Sequence, residues 1–298
     1  MKVSIIITTY NRALTLHKAL ESVLKQTYSD IEVLVVDDGS TDGTGEFMRT
    51  MTDFRVRYIR LSTNSGASVA RNRGIQEASG GYILVWDSDD VLYLHALEKI
   101  ISVFDRHSEI SIVSAPARVL VAGKEQKYLH FPTGEVELSD VLCKKIPSNE
   151  KVRVTRSDVM KRVSYKSRNI DFLVNVELIE KGKWYHLDEV LGDVHNDPNS
   201  GSLTASRKKK NAQYAIERAP YLVAFLQKHG DILKNVCLGR YAAYCYGASV
   251  GLLLSGDVLL ARSFSREACR YDNVNLKYWG FLFLAHIPGG SCLLRIFY

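Results

Sequence analysis

The chain of 298 residues is short of several features that would narrow its chemistry at once. Its five cysteines, Cys143, Cys237, Cys245, Cys269 and Cys292, form no CxxC pair and have no histidine cluster beside them. That spacing excludes the common cysteine metal sites, and an odd, scattered set reads as reduced thiols of a cytosolic protein. There is no GxxxxGK[ST] and no GxGxxG, so neither a P-loop nor a dinucleotide fingerprint is supported. The N-terminal MKVSIIITTYN has one lysine and an apolar run shorter than the roughly 7–15 residues of a signal core, and it reads as a buried strand. No clean run of about 20 apolar residues occurs before the last part of the chain. Charge of one sign is also scarce: the net value of +6 suits nucleotides or acidic lipid surfaces but is too small to indicate nucleic acid.

What is present is an alternating pattern. Val3 to Thr8, Ile31 to Val36, Val56 to Leu61, Tyr82 to Trp86 and Ile110 to Ala115 are β-branched or apolar runs that read as buried strands. Between them, Leu16, Leu20, Val23 and Leu24 recur at helical spacing, Ala67 to Ala78 is helical up to Ser79-Gly80-Gly81, and Leu94 to Phe104 puts Leu97, Ile100, Ile101 and Phe104 on one face. Asn11 is placed to cap the first helix, and Thr41 or Asp42 to start the next. The order predicts an α/β protein with a mostly parallel central sheet, which binds ligands at the carboxyl ends of its strands. Thr8-Thr9-Tyr10, Asp37-Asp38 and Asp87-Ser88-Asp89-Asp90 all fall at those ends.

Further on, Val152 to Thr155 reads as a strand, Asp171 to Glu180 as a helix, Trp184 to Val190 as a strand and His195 to Ser202 as a polar loop. The basic run Arg207-Lys208-Lys209-Lys210 opens an α-helical C-terminal tail. Its helices Leu238 to Ser255 and Val258 to Tyr271 resemble one tetratricopeptide-type pair, too few for a solenoid of about three repeats. The apolar segment Tyr278 to Tyr298 is interrupted at Pro288-Gly289-Gly290. It fits a segment lying on a membrane surface, with the basic run attracting anionic headgroups, or one packed on its own helices.

Each polar cluster has two readings when taken alone. In extended chain Asp87 and Asp89 share a face and offer hard oxygens suited to Mg²⁺ or Mn²⁺, with Asp90 starting the next helix; the same residues also suit an Asp-rich turn. Asp37 and Asp38 fit a ribose or base contact, or an Asx turn before a helix. Arg71 and Arg73, after Asn64-Ser65-Gly66, fit a diphosphate contact or a solvated helix face.

The blocks Val3 to Asn11, Val35 to Asp42, Asn64-Ser65-Gly66 with Ala70-Arg71-Asn72, and Asp87 to Asp90 resemble, in that order, the family 2 glycosyltransferases. The resemblance is specific over the first 90 residues and looser to about residue 205. It implies the GT-A (nucleotide-diphospho-sugar transferase) fold over 1–205, with a nucleotide-sugar-binding half 1–115 and an acceptor-binding, catalytic half 116–205, followed by the helical region 206–298. It implies inverting transfer from a nucleotide-diphospho-sugar, UDP-linked by preference, to a glycan or lipid-linked acceptor, at the inner face of the cell membrane. Carried over by position, Thr8, Tyr10, Asp37, Asp38, Gly66, Arg71 and Asp87 would line the donor pocket. Asp87 and Asp89 would be the DxD pair that holds Mn²⁺ or Mg²⁺, and His195 would stand near the metal at the rim. The family's base is usually the Asp of a Glu-Asp pair opening a helix. Here Ile170 replaces that Glu and Asp171 is the candidate base, with Asp158 and Glu177 as substitutes. Two other readings remain: a sugar-nucleotide pyrophosphorylase, whose Gly-rich loop after the first strand is missing, and an inactive scaffold whose tail binds a partner.

Overall fold

A computed structural model of the chain describes residues 1–126, 130–145, 150–165, 171–195, 212–287, 289–290 and 293–294, apart from the side chains of Glu150 and Asp171. The chain divides into two units, Met1–Ser202 and Leu203–Tyr298.

In the first unit, strands β1 (Val3–Thr9), β2 (Ile31–Asp37), β3 (Val56–Arg60) and β4 (Tyr82–Asp87) alternate with helices α1 (Ala13–Leu24), α2 (Thr44–Arg49) and α3 (Ala67–Glu77). Then follow β5 (Val91–Leu92), α4 (Ala96–Arg106), β6 (Ile110–Pro116), β7 (Arg118–Val121), β8 (Lys124–Glu125), β9 (Gly134–Val136) and α5 (Leu138–Leu142). The unit continues with β10 (Glu150–Arg156), α6 (Ser157–Met160), α7 (Asp171–Ile179), β11 (Lys183–His186) and β12 (Gly192–His195). All seven β1 residues are buried, which is why that run has no polar alternation: a central strand is covered on both faces. On α4, Leu97, Ile100, Ile101 and Phe104 are buried together, as their helical spacing requires.

Eight strands form the main sheet in the order β3-β2-β1-β4-β10-β6-β11-β9. β10 runs antiparallel between β4 and β6, and β11 is parallel to β6. Six of the eight strands therefore point the same way, and their carboxyl ends make one edge. β10 finishes at the other edge, where Arg156 stands opposite Tyr82, the first residue of β4. A smaller sheet, β5-β12-β7-β8, lies beyond β4 in sequence.

Three local expectations are corrected. Asn11 does not cap α1. Its backbone is left-handed at φ 51°, and its side-chain oxygen accepts from the Thr41 N–H at 2.8 Å, so it braces the loop after β2 instead. The run Trp184 to Val190 is not one strand. Only Trp184 to His186 of it are strand, in β11; β12 of the other sheet starts later, at Gly192, where a Cβ would stand 2.7 Å from the Val91 carbonyl oxygen. Asp90 does not start a helix, since α4 begins at Ala96.

Gly74 shows why α3 can lie so close to β1. A Cβ there would meet Ile6 Cγ2 at 2.3 Å and Val36 Cγ2 at 3.2 Å. Gly74→Ala is expected to destabilise the fold by about 1–3 kcal/mol through overpacking, against its better helix propensity. A lowered urea midpoint would report this; an equal or higher midpoint would mean that Ile6 moves aside freely.

The second unit has α8 (Ala212–Val236), α9 (Leu238–Ser255), α10 (Val258–Tyr271) and α11 (Leu276–His286). Gly256, at φ 95°, ends α9, and the Asp257 carboxylate accepts from Leu260 N at 3.1 Å to start α10. Val250, Leu253, Ala261, Phe281 and Ala285 meet in its core. Among the described residues, no helix is long and apolar enough to cross a membrane. Cys143, Cys237, Cys245 and Cys269 are free thiols; Cys292 and the basic run Arg207 to Lys210 lie outside the described residues.

Candidate active site at the carboxyl edge of the sheet

Strand register brings the first polar groups together. Thr9 is paired with Asp37, and Thr8 with Asp87, so two rows cross the carboxyl edge on opposite faces of the sheet. Asp37 is fully buried and well supplied with donors. Its Oδ1 accepts from Ser40 N at 2.8 Å and Ser40 Oγ at 2.5 Å, and its Oδ2 accepts from the Tyr58 hydroxyl at 2.5 Å. Burial first, then the Asp37 carboxylate, push the Tyr58 hydroxyl far up, so it stays a donor. Tyr58→Phe is expected to cost about 1.5–3 kcal/mol, the loss of a hydrogen bond to a charged group. Denaturant unfolding measures it, and a loss below a few tenths of that would show that Asp37 has another donor in reserve.

Asp38 is also spent within the chain. Its two oxygens accept from the backbone N–H groups of Ser65 at 2.7 Å and Gly66 at 2.8 Å. Asp38 thereby ties the loop after β3 to the end of β2, and Gly66, at φ 95°, turns the chain into α3. Gly39 has to be glycine for the same closeness, with φ 77° and a would-be Cβ 2.9 Å from the Thr63 carbonyl carbon.

The Asp87 cluster is organised by arginines. Arg71, in the second turn of α3, donates through Nη2 to Asp87 Oδ1 at 2.9 Å and lies 5.3 Å from the centre of the Tyr165 ring. Burial works against the Asp87 carboxylate, but Arg71, Lys151 and Arg12 outweigh it and hold this carboxyl down at about 2. Asp89 pairs with Arg12. Burial, followed by the charge of Asp87, still raises its carboxyl above the usual range. β4 stops at Asp87 and residues 88–89 turn, so the strand alternation expected to align these two carboxylates does not extend to Asp89. Asp90 is buried, accepts from the His195 N–H through Oδ1 at 3.0 Å, and is pushed well up by burial and by its two neighbours. Arg73 is not part of the cluster, because it pairs with Glu77 at 2.9 Å.

The remaining predicted residues separate by strand direction. Tyr10 is exposed just past β1. His195 ends β12 with an exposed side chain and its backbone on Asp90. Asp158, in α6, follows the end of β10 and so lies at the edge away from Asp87; β4 itself spans roughly 17 Å at 3.3 Å per residue. Asp171 opens α7, and its side chain lies outside the description. Glu177 is about 9 Å further along the same helix.

Two residues named in the sequence reading were given no role there. The Thr9 hydroxyl is buried and has no hydrogen-bond partner among the described residues. Such a group calls for one, and the strand alternation that assigned Thr8 could have flagged its neighbour. Asn72 makes two hydrogen bonds with the backbone of Tyr165, donating at 2.8 Å and accepting at 2.9 Å. Its place as a polar residue in a helix that packs on the sheet was the available signal.

The carboxyl edge of the sheet thus gathers Thr8, Thr9, Asp37, Asp87 and Asp89 on a fold of the GT-A type. In agreement, the fold matches a crystal structure of Staphylococcus aureus TarS 1–349 in complex with UDP-GlcNAc at a TM-score of 0.72 and 21% identity, over 96% of this chain and 87% of that one. The chain belongs to the glycosyl transferase family 2, whose model matches residues 4–161. A mannosyltransferase from Pyrobaculum calidifontis, solved in complex with GDP-Man and Mn²⁺, shares the fold at a TM-score of 0.55 and 16% identity, over 99% of this chain and 86% of that one. Among curated relatives, the glycosyltransferase GlyG of Streptococcus pneumoniae is 41% identical over 33% of this chain and 33% of its own length. The poly(ribitol-phosphate) beta-N-acetylglucosaminyltransferase TarP of Staphylococcus aureus is 28% identical over 72% of this chain and 68% of its own. The chain spans between 13% and 36% of the length of four such relatives, GlyG included.

Proposed function

We propose that this glycosyltransferase moves a sugar, with inversion, from a UDP-linked donor to a glycan or lipid-linked acceptor in the synthesis of cell-surface polysaccharide. The observation that carries the reading is the Asp87–Arg71 pair, in register with Thr8 and one turn from the Asp89–Arg12 pair. TarS binding UDP-GlcNAc and TarP acting on a ribitol-phosphate polymer support the donor and acceptor classes.

In this reading Thr8, Thr9, Tyr10, Asp37, Asp38 and Gly66 form the nucleotide end of the pocket, and Arg71 and Arg12 meet the diphosphate with planar forks of donors. Asp37 and Asp38 act there mainly by shaping the loops, since their oxygens already accept from Ser40, Tyr58, Ser65 and Gly66. Asp87 and Asp89 would hold Mn²⁺ or Mg²⁺, with His195 at the rim. Among the described residues no three His, Cys, Asp or Glu side chains converge on a metal-sized point. The donor set still fits, because these cations are commonly held by one or two carboxylates together with substrate phosphates. When bound, the cation would supply positive charge against the leaving diphosphate. Asp171 takes the proton of the acceptor hydroxyl while that oxygen forms its bond to C1. The bond from C1 to the diphosphate oxygen breaks on the opposite face, and its electron pair leaves with the nucleoside diphosphate.

Release of nucleoside diphosphate, measured over a panel of sugar nucleotides with acceptor and with or without Mn²⁺, tests the reading. UDP-sugars should be consumed and Mn²⁺ should accelerate release. Nucleotide binding with no release from any donor would point instead to an inactive scaffold.

A further inference from the structure

The positive charge of the chain is unevenly placed. Residues 203–298 hold thirteen Lys and Arg against five Asp and Glu, whereas residues 1–202 hold twenty-six against twenty-eight. The same C-terminal unit exposes large apolar side chains in a regular row. On α11, Leu276, Trp279 and Phe283 recur at spacings of three and four residues and are 83%, 48% and 67% exposed. The opposite side of α11, with Tyr278, Phe281 and Ala285, is buried, so the helix has a second apolar face beyond the one its own core uses.

An arginine row on the neighbouring helix reaches the C-terminal end of α11. Arg262, Arg266 and Arg270 recur every four residues along α10. Arg262 Nε donates to the Ala285 carbonyl oxygen at 2.8 Å, and Arg266 Nη2 lies 3.2 Å from His286 Nε2, so the row runs against the end of α11 one turn past Phe283. Arg266 and Arg270 are exposed, and so is Leu259, by 79%. Trp and Phe beside a row of arginines is the composition of a surface that lies in a bilayer interface, with rings at headgroup depth and cations on phosphates. A second protein copy would gain nothing from a row of like charges at the seam.

We propose that the α10–α11 hairpin is a docking face for an anionic bilayer surface, with Leu276, Trp279 and Phe283 entering the headgroup region and Arg266 and Arg270 meeting lipid phosphates. This builds on the lipid-linked acceptor of the function proposed above and is independent of the chemistry at Asp87. It needs neither a spanning helix nor the basic run Arg207 to Lys210.

Vesicle flotation of the full chain tests it, using phosphatidylcholine with and without about 30 mol % phosphatidylglycerol. At least about tenfold more protein should float with the anionic vesicles, and about 0.5 M salt should remove most of that excess. The double variant Leu276→Glu, Phe283→Glu should lose at least about tenfold of the binding, and Arg266→Glu, Arg270→Glu should lose the preference for anionic lipid. Tryptophan fluorescence gives a second readout, because Trp86 and Trp184 are 1% exposed and only Trp279 has water to lose. A blue shift on adding anionic vesicles is expected. Circular dichroism on each variant establishes folding without reference to transfer, so an inactive enzyme would leave the binding result standing. Equal binding to both vesicles, no binding, or wild-type binding by the Leu276→Glu, Phe283→Glu variant would each overturn the proposal. A blue shift produced by raising protein concentration alone would overturn it too, in favour of a second copy on this face.

Discussion

Asp171→Asn is expected to lower the turnover of sugar transfer by about 10²- to 10⁴-fold, the range that a positioned general base contributes. The amide keeps the shape and the helix-opening role of the carboxylate but cannot take a proton. Donor affinity should therefore be unchanged, which separates a lost base from a lost fold. Of the three acidic candidates in the second half, Asp158 follows a strand that ends at the far edge of the sheet, and Glu177 is well down α7. Single-turnover release of UDP with acceptor present, together with UDP binding by calorimetry, decides the matter. Transfer at near wild-type rate in Asp171→Asn would reject it as the base.

Asp89→Asn should give the opposite pairing of effects. Transfer is expected to fall by about 10²- to 10³-fold, the loss typical of removing one preorganised electrostatic contact to a developing charge. Nucleotide binding should also stop responding to Mn²⁺. Stability without metal should nevertheless hold or rise. Asp87, Asp89 and Asp90 crowd three carboxylates into four positions, and burial and the charge of Asp87 disfavour the ionised form of Asp89. Neutralising one of them relieves that repulsion, although Arg12 loses its partner. An active site that costs stability behaves in this way. A drop in melting temperature beside the loss of transfer would mean that Asp89 is a structural anchor for Arg12, and an unchanged Mn²⁺ response would remove it from the metal site.

Much of the fold was legible because the signals are local. Continuous β-branched runs ending in polar clusters identified β1, β2 and β4 and the edge where they end. Gly256-Asp257 set the joint between α9 and α10 to the residue. Misreadings arose where a side chain answers to a distant partner. Asn11 looked like a cap, but its oxygen is taken by Thr41, thirty positions away. Asp90 looked like a helix start, but it holds the backbone of His195. Thr9 and Asn72 gave little signal because their importance depends on what stands next to them across the sheet and in Tyr165.

By itself the sequence determined the class of strand, the carboxyl-edge position of Asp37, Asp38, Asp87 and Asp89, and the family resemblance, since all of these follow from periodicity and motif order within short stretches. Only the tertiary structure decided what each acidic group is free to do. It committed Asp37 to Ser40 and Tyr58, committed Asp38 to the loop at Ser65 and Gly66, and set Asp87 and Asp89 against Arg71 and Arg12. It also turned β10 antiparallel and so carried Asp158 to the far edge. Strand direction and hydrogen-bond partners are settled between residues far apart in the chain, and the charge that a carboxylate retains for a ligand is what its neighbours have left uncompensated.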